Sequence, residues 1–153
     1  MTAHSWLPAG PALLFCPADR PERYAKAAER ADGVILDLED AVSPENKAAA
    51  REALIANPLD PARVIVRINA ADTDDHALDL QALARTGYRV VMQAKAEDPD
   101  TIRAHGYSTI ALIETPLGAV RCEAVAAVEN CVGLLQAALE TCPPAAELAP
   151  SLP

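Results

Sequence analysis

The chain has 153 residues, of which 51% are hydrophobic, and a formal net charge of −9. This length suits one domain with a hydrophobic core, and the hydrophobic fraction excludes a wholly disordered chain. The acidic balance argues against a general nucleic-acid-binding surface; the sequence shows neither a membrane-length apolar run nor a secretory signal, so we expect a cytoplasmic protein.

Six short apolar runs are typical of buried parallel strands, because they are apolar on both faces and mostly rich in β-branched residues. In chain order they are residues 13–16, 34–38, 64–68, 90–92, 110–113 and 131–135. The segments between them have helix-forming composition, and Ser43, Asp98 and Thr115 each precede a proline in the manner of a helix N-cap. The alternation predicts an α/β fold with parallel strands and right-handed crossovers.

Charged side chains follow the predicted strands at their carboxyl ends, where parallel α/β folds place their active sites. Arg67 lies within the third strand and Glu114 directly follows the fifth, and an unpaired charge is costly to bury at either position. Such charges usually have a partner, a metal or a ligand, and a purely structural ion pair remains an alternative. Glu114 suits Mg²⁺ and Arg67 suits a substrate carboxylate, so the pair indicates a site for an oxo acid or its enolate.

Five strings occur in series along the chain: LFCPADRPERYAKA, GVILDLEDAV, VIVRINA, AKAE and ALIETPLGAV. From about residue 13 to residue 135 the sequence resembles the HpcH/HpaI aldolase and citrate lyase β-subunit family. The resemblance implies a TIM (β/α)8-barrel fold and a carbon–carbon lyase that acts on acids or thioesters such as citryl-CoA and malyl-CoA, giving an oxo acid and an acyl-CoA. It also implies a Mg²⁺ cofactor, small-molecule partners and homo-oligomeric relatives.

The same resemblance assigns roles to individual residues of this sequence. Glu114 is expected to be a metal ligand, and Arg67 is expected to bind the substrate carboxylate. The remaining expected site residues are Glu39, Asp40 and Lys95 in catalysis and Arg20 in substrate binding at the active-site mouth.

The sequence departs from the family pattern after the sixth predicted strand. The family continues with a Gly-Ala-Glu-Asp-Leu type segment whose aspartate is a second metal ligand, whereas this chain continues with Gln-Ala-Ala-Leu-Glu. We therefore expect residues 10–135 to form an incomplete barrel of five to six βα units, and residues 136–153 to form a disordered, Ala- and Pro-rich tail. Because a full barrel needs roughly 250 residues, we expect a truncated or frame-shifted product.

Two alternatives remain open at the level of sequence. One is a non-catalytic remnant of the lyase family, which the missing aspartate favours. The other is a flavodoxin-like binding domain, in which Asp37, Glu39 and Asp40 would form an acidic pocket. Strand order distinguishes the flavodoxin-like domain from a barrel of either kind, active or remnant. A barrel segment has the order 1-2-3-4-5, and a flavodoxin-like sheet has the order 2-1-3-4-5.

Overall fold

The computed structural model describes residues 10–137, which form six strands and five α-helices in strict alternation. The strands are β1 (Leu13–Pro17), β2 (Gly33–Asp37), β3 (Val64–Ile68), β4 (Val90–Gln93), β5 (Ser108–Ile113) and β6 (Cys131–Gln136). The helices are α1 (Tyr24–Arg30), α2 (Lys47–Ala56), α3 (Asp74–Leu83), α4 (Pro99–His105) and α5 (Pro116–Ala126). Every predicted strand is present, with its ends within two residues of the predicted positions.

The six strands form one sheet in the order β1-β2-β3-β4-β5-β6, and every neighbouring pair is parallel. This sequential order confirms the prediction of an incomplete βα barrel. The flavodoxin-like alternative is wrong, because its first strand would lie between the second and the third. The register sets Asp37 opposite Arg67, and Arg67 opposite Met92, so the carboxyl ends of the central strands lie side by side.

Alternate strand residues divide into two apolar layers, one on each face of the sheet. Leu36 and Val66 pack with Leu54 of α2 in the layer beneath the helices. Ile35 and Ile65 belong to a separate buried cluster on the opposite face. Complete burial of one such side chain stabilises the fold by about 1.5–3 kcal/mol. The central strands therefore hold the polar residues at their ends in fixed positions.

The two outermost strands differ from the central ones in their exposure. Six large apolar side chains on β1 and β6 are 36–46% exposed: Leu13, Leu14, Phe15, Val132, Leu134 and Leu135. Within residues 10–137, β1 and β6 each have a strand neighbour on one side only. Both edges of the sheet are therefore open in the described part of the chain.

Of the three helix caps predicted before a proline, two are confirmed, whereas Thr73, predicted with Asp74 as a possible cap of α3, makes no side-chain cap hydrogen bond. The side chains of Asp98 and Thr115 accept hydrogen bonds from the main-chain N–H groups of Asp100 and Gly118. Ser43 makes no side-chain cap hydrogen bond, because Pro44–Asn46 first forms a 3₁₀ turn and α2 begins only at Lys47.

The expected boundary at residue 135 falls inside a strand, since β6 runs to Gln136 and the Ala137 N–H donates to the Ile113 carbonyl at 3.0 Å. The rest of the expected disordered tail, from residue 138 onward, lies outside the described residues. None of the helices in the described part of the chain has the length and apolar character needed to cross a lipid bilayer.

Candidate active site

Six charged side chains lie at the carboxyl ends of β2 to β5, and we call them the rim cluster: Asp37, Glu39, Asp40, Arg67, Lys95 and Glu114. The parallel, sequential order of the strands places these ends along one edge of the sheet. Four carboxylates stand against two cations, so the cluster carries a formal excess of two negative charges.

Arg67 is fixed by a two-point contact with Asp37 across the β2–β3 pair. Its Nε donates to Asp37 Oδ1 at 2.8 Å and its Nη2 donates to Asp37 Oδ2 at 2.5 Å. Asp37 is fully buried and also accepts hydrogen bonds from the main-chain N–H groups of Glu39 and Ala41. The Phe15 ring lies 5.0 Å from the Arg67 guanidinium carbon, a cation–π distance.

These contacts determine the ionisation of Arg67. Burial alone would lower the pKa of Arg67, but the hydrogen bonds and negative charge of Asp37, with Glu39 and Asp40, raise it above its ordinary value. Arg67 is therefore a permanent cation. Since Asp37 takes its Nε and one side of Nη2, a substrate carboxylate would use the outer nitrogens Nη1 and Nη2.

A chain of contacts connects Arg67 to Glu114 along the rim. Arg67 Nη1 lies 3.1 Å from Glu39 Oε2, and Lys95 Nζ donates to Glu39 Oε1 at 2.8 Å. The main-chain N–H of Lys95 donates to Glu114 Oε1 at 2.9 Å. The structure thus brings four of the expected site residues together, and Glu39 and Glu114 are both buried.

Lys95 adopts an unusual backbone conformation to make both contacts. Its φ of 48° lies in the left-handed region, which costs a residue with a Cβ roughly 1 kcal/mol or more. With this conformation its N–H is directed at Glu114 while its side chain reaches Glu39. The side chain is 33% exposed and lines a shallow pocket of about 210 Å³ next to the rim.

The two other expected residues occupy more exposed positions. Asp40 is 58% exposed, and its Oδ2 lies 3.9 Å from Arg67 Nη1, so it stands at the solvent side of the rim cluster. Arg20 is 55% exposed and its charged neighbour is Asp19, at 3.9 Å. Within residues 10–137 no hydrogen bond or ion pair joins Arg20 to the rim cluster, so the structure does not bring it into the site.

The rim cluster has the donor chemistry that Mg²⁺ prefers, since its anionic ligand atoms are all oxygens. In residues 10–137 no group of three or more His, Cys, Asp or Glu side chains is close enough to hold a metal. Mg²⁺ is often held by one or two carboxylates with water and substrate oxygens. The cluster's excess of two negative charges matches one divalent cation, so Glu114 fits the ion on these terms, with water and substrate oxygens as its other ligands.

Sequence reasoning missed a second polar layer formed by Lys47 of α2, Asn69 after β3 and Asp79 of α3. Asp79 is fully buried and accepts hydrogen bonds from the N–H and the side-chain amide of Asn69. Burial raises the pKa of Asp79, and the hydrogen bonds from Asn69 and Arg51 oppose that rise. The available signal was the position of Asp79 on the same face of α3 as the buried Leu83, where a carboxylate needs partners.

A sequence model of the HpcH/HpaI aldolase/citrate lyase family matches residues 12–141. The citrate lyase subunit beta-like protein of Mycobacterium tuberculosis is 56% identical over 128 residues, which cover 83% of this chain and 47% of that protein. The crystal structure of CitE from the same organism, in complex with magnesium, acetoacetate and coenzyme A, superposes with a TM-score of 0.82 at 54% identity. This superposition covers 84% of this chain and 48% of the CitE chain.

A shorter match is to a protein that is named for a different lyase activity. The L-malyl-CoA/beta-methylmalyl-CoA lyase of Cereibacter sphaeroides is 49% identical over 65 residues, which cover 39% of this chain and 20% of that protein. The chain spans about half the length of the Mycobacterium tuberculosis relative, and less of the malyl-CoA lyase.

Proposed function

Because the chain belongs to the HpcH/HpaI aldolase/citrate lyase family, we propose that it is a Mg²⁺-dependent carbon–carbon lyase for thioesters of the citryl-CoA or malyl-CoA type. The products would be an oxo acid and an acyl-CoA. The observation that carries this proposal is the continuous line of contacts from Arg67 through Glu39 and Lys95 to Glu114. It joins, within one rim, a guanidinium that is able to bind a carboxylate and a carboxylate that is able to bind a hard metal ion.

In the proposed reaction, the bond between the carbinol carbon and the carbon next to the thioester carbonyl breaks. Its electron pair moves onto the thioester as an enolate, which then takes a proton from solvent. The carbinol oxygen loses its proton to a base and becomes the carbonyl oxygen of the oxo acid. Overall, one hydroxyacyl thioester gives one oxo acid and one acyl thioester, with no oxidant or reductant.

We assign the proton acceptor to Asp40. Its carboxylate is 58% exposed at the solvent side of the rim, whereas both oxygens of Glu39 already contact cations, Arg67 Nη1 at 3.1 Å and Lys95 Nζ at 2.8 Å. Glu39 instead orients Arg67 and Lys95. The outer nitrogens of Arg67 would bind the carboxylate of the oxo-acid part.

The Lys95 ammonium would stabilise an anionic oxygen in the pocket that it lines. Glu114 would hold a Mg²⁺ ion, which when bound polarises the oxo-acid carbonyl. The CitE crystal structure in complex with magnesium, acetoacetate and coenzyme A contains ligands of the chemical classes that this proposal requires.

The test is a direct assay of the purified 153-residue chain with malyl-CoA and, separately, citryl-CoA, in Mg²⁺ and after chelation. Acetyl-CoA is quantified by chromatography and the oxo acid as its phenylhydrazone. We expect Mg²⁺-dependent formation of both products in equal amounts. Glu114→Gln should weaken Mg²⁺ binding and so raise the Mg²⁺ concentration needed for half-maximal activity, because an amide lacks the charge of the carboxylate.

Arg67→Lys should lower kcat/KM about a hundredfold, because an ammonium cannot replace a guanidinium that serves two carboxylates. The matched control is Arg85→Lys, which alters a surface pair with Glu52 and should leave the rate unchanged. A folded wild-type chain that cleaves neither thioester in Mg²⁺ would overturn the proposal in favour of a non-catalytic remnant.

A further inference from the structure

The polar layer behind the rim cluster is centred on Lys47, the first residue of α2. Its ammonium donates to the main-chain carbonyls of Leu38 at 2.8 Å and Glu39 at 3.1 Å, and to Asn69 Oδ1 at 2.8 Å. An ammonium has three N–H donors. Lys47 therefore uses its whole hydrogen-bonding capacity at the ends of β2 and β3.

Asn69 ties this arrangement to the next helix. Its side-chain amide donates to the Leu38 carbonyl at 3.0 Å and to Asp79 Oδ2 at 2.7 Å. Asp79 in turn accepts a hydrogen bond from Arg51 Nη1 at 3.0 Å. The layer is thus anchored on α2 through Lys47 and Arg51, and on α3 through Asp79, so two packed helices support it.

The atoms that Lys47 contacts have a specific relation to the rim cluster. The chain leaves the sheet after the Leu38 N–H, which still donates to the Arg67 carbonyl at 3.0 Å. Carbonyl groups beyond the sheet need other partners. The carbonyls of Leu38 and Glu39 belong to the two peptide groups that flank Glu39, so Lys47 fixes the main chain on both sides of that residue.

We propose that Lys47 is a positioning residue that sets the place of the Glu39 carboxylate between Arg67 and Lys95. Among the described residues Lys47 makes no hydrogen bond to a side chain of the rim cluster; its two hydrogen bonds beside the Glu39 side chain are to the main-chain carbonyls of Leu38 and Glu39. The effect of Lys47 on catalysis rests on the proposed lyase function. The effect of Lys47 on the geometry of the rim cluster does not depend on that function.

The experiment compares Lys47→Met, which removes all three hydrogen bonds, with Lys47→Arg, which keeps donors at this position. Lys47→Gln serves if the methionine variant does not fold. The matched control is Lys26→Met, an exposed lysine on α1. All variants are made in the full chain and compared by urea denaturation and by ¹H–¹⁵N NMR without substrate.

The informative signal is the Arg67 Nη1–H resonance, recorded at low temperature and identified by its loss in Arg67→Lys, because Nη1 lies 3.1 Å from Glu39 Oε2. We expect this signal to shift or broaden in Lys47→Met, to move back toward its wild-type position in Lys47→Arg, and to stay unchanged in Lys26→Met. Amide signals of α5 should remain in place in every variant, since a general loss of stability does not move the signals of the folded state. A folded Lys47→Met with the wild-type Arg67 signal overturns the proposal.

The assay of the proposed function supplies a second, independent readout. If the wild-type chain is active, Lys47→Met should lower kcat about tenfold or more while KM changes little, because a displaced carboxylate impairs the reaction more than binding. An unchanged kcat would overturn the catalytic part of the proposal. If the wild-type chain is inactive, the lyase proposal fails, and the NMR comparison still decides whether Lys47 positions Glu39.

Discussion

The ion pair between Asp37 and Arg67 determines how far the rim tolerates substitution. Asp37 is fully buried, and its carboxylate depends on Arg67 together with two main-chain N–H groups. Breaking a buried pair by removing one partner leaves an uncompensated charge in the interior. Arg67 is thus a structural residue as well as a candidate substrate-binding residue.

We expect Arg67→Met to lower the free energy of unfolding by about 3–5 kcal/mol, because Asp37 would lose its counter-charge. Urea denaturation followed by circular dichroism measures this quantity. The matched change Arg85→Met removes a surface pair whose side chains are 59% and 68% exposed and should cost under about 1 kcal/mol. An equal loss of unfolding free energy in Arg67→Met and Arg85→Met would show that the Asp37–Arg67 pair stabilises the fold no more than a surface pair does.

Residues of the site differ in how well the sequence alone could predict them. Glu39, Arg67 and Glu114 follow or end apolar strands, and the parallel topology brings strand ends together whatever the details of packing. Lys47 and Asp79 lie in helices rather than at strand ends, so only the packing of α2 against α3 shows what they contact. The twofold contact of Arg67 with Asp37 was likewise not predictable, since it depends on the strand register.

At the scale of single elements, the start of α5 is held closely against the loop that carries Lys95. Thr115 Oγ1 accepts a hydrogen bond from the Gly118 N–H and donates one to Glu97 Oε1 at 2.7 Å. A Cβ atom at position 118 would lie 2.8 Å from the Ala96 carbonyl oxygen. Glycine is therefore needed here for the close approach of the helix to the loop.

We expect Gly118→Ala to destabilise the fold by about 1–3 kcal/mol, because the helix and the Ala96 carbonyl must move apart. The Lys95 amide signal in ¹H–¹⁵N NMR should shift as its loop moves. Gly133→Ala in β6 is the control, since a Cβ there meets nothing within 4 Å, and it should be neutral or stabilise by up to about 1 kcal/mol. A stabilising effect of Gly118→Ala would contradict the inferred close contact.

Helix starts illustrate what local sequence rules can and cannot predict. Asp98 and Thr115 were predicted as caps from one pattern, a capping residue before proline, and both make the expected bond. Ser43 has the same pattern, yet the intervening 3₁₀ turn moves the start of α2 to Lys47. That shift places Lys47 in reach of the Leu38 carbonyl, so a tertiary contact accompanies the departure from the local rule.

At the scale of the whole molecule, the described sheet presents two open edges with apolar side chains. Exposed, apolar edge strands are templates for association with other chains. Leu14 on β1 is 41% exposed and Leu134 on β6 is 44% exposed. Both edge strands therefore offer surface through which copies can associate.

We expect the purified chain to self-associate in a concentration-dependent way, as measured by light scattering after size-exclusion chromatography. Leu14→Lys and Leu134→Lys should each lower the average mass, because a charge at an edge opposes strand addition. Val120→Lys is the control, since Val120 is 83% exposed and belongs to helix α5, not to an edge strand. A wild-type chain that stays a monomer at all concentrations would contradict this prediction.

The sequential strand order also bears on how the molecule comes together during translation. Each strand after β1 adds beside the one synthesised just before it, so an emerging segment finds its neighbour already outside the ribosome. Long-range pairing, which slows folding by its loop-closure entropy, is largely avoided. The charged rim, by contrast, is completed late. Asp37 can pair with Arg67 as soon as β3 has emerged, but Lys95, the second cation on Glu39, lies 56 residues after that carboxylate. The nascent chain therefore passes through a stage in which the rim cluster lacks one of its two cations.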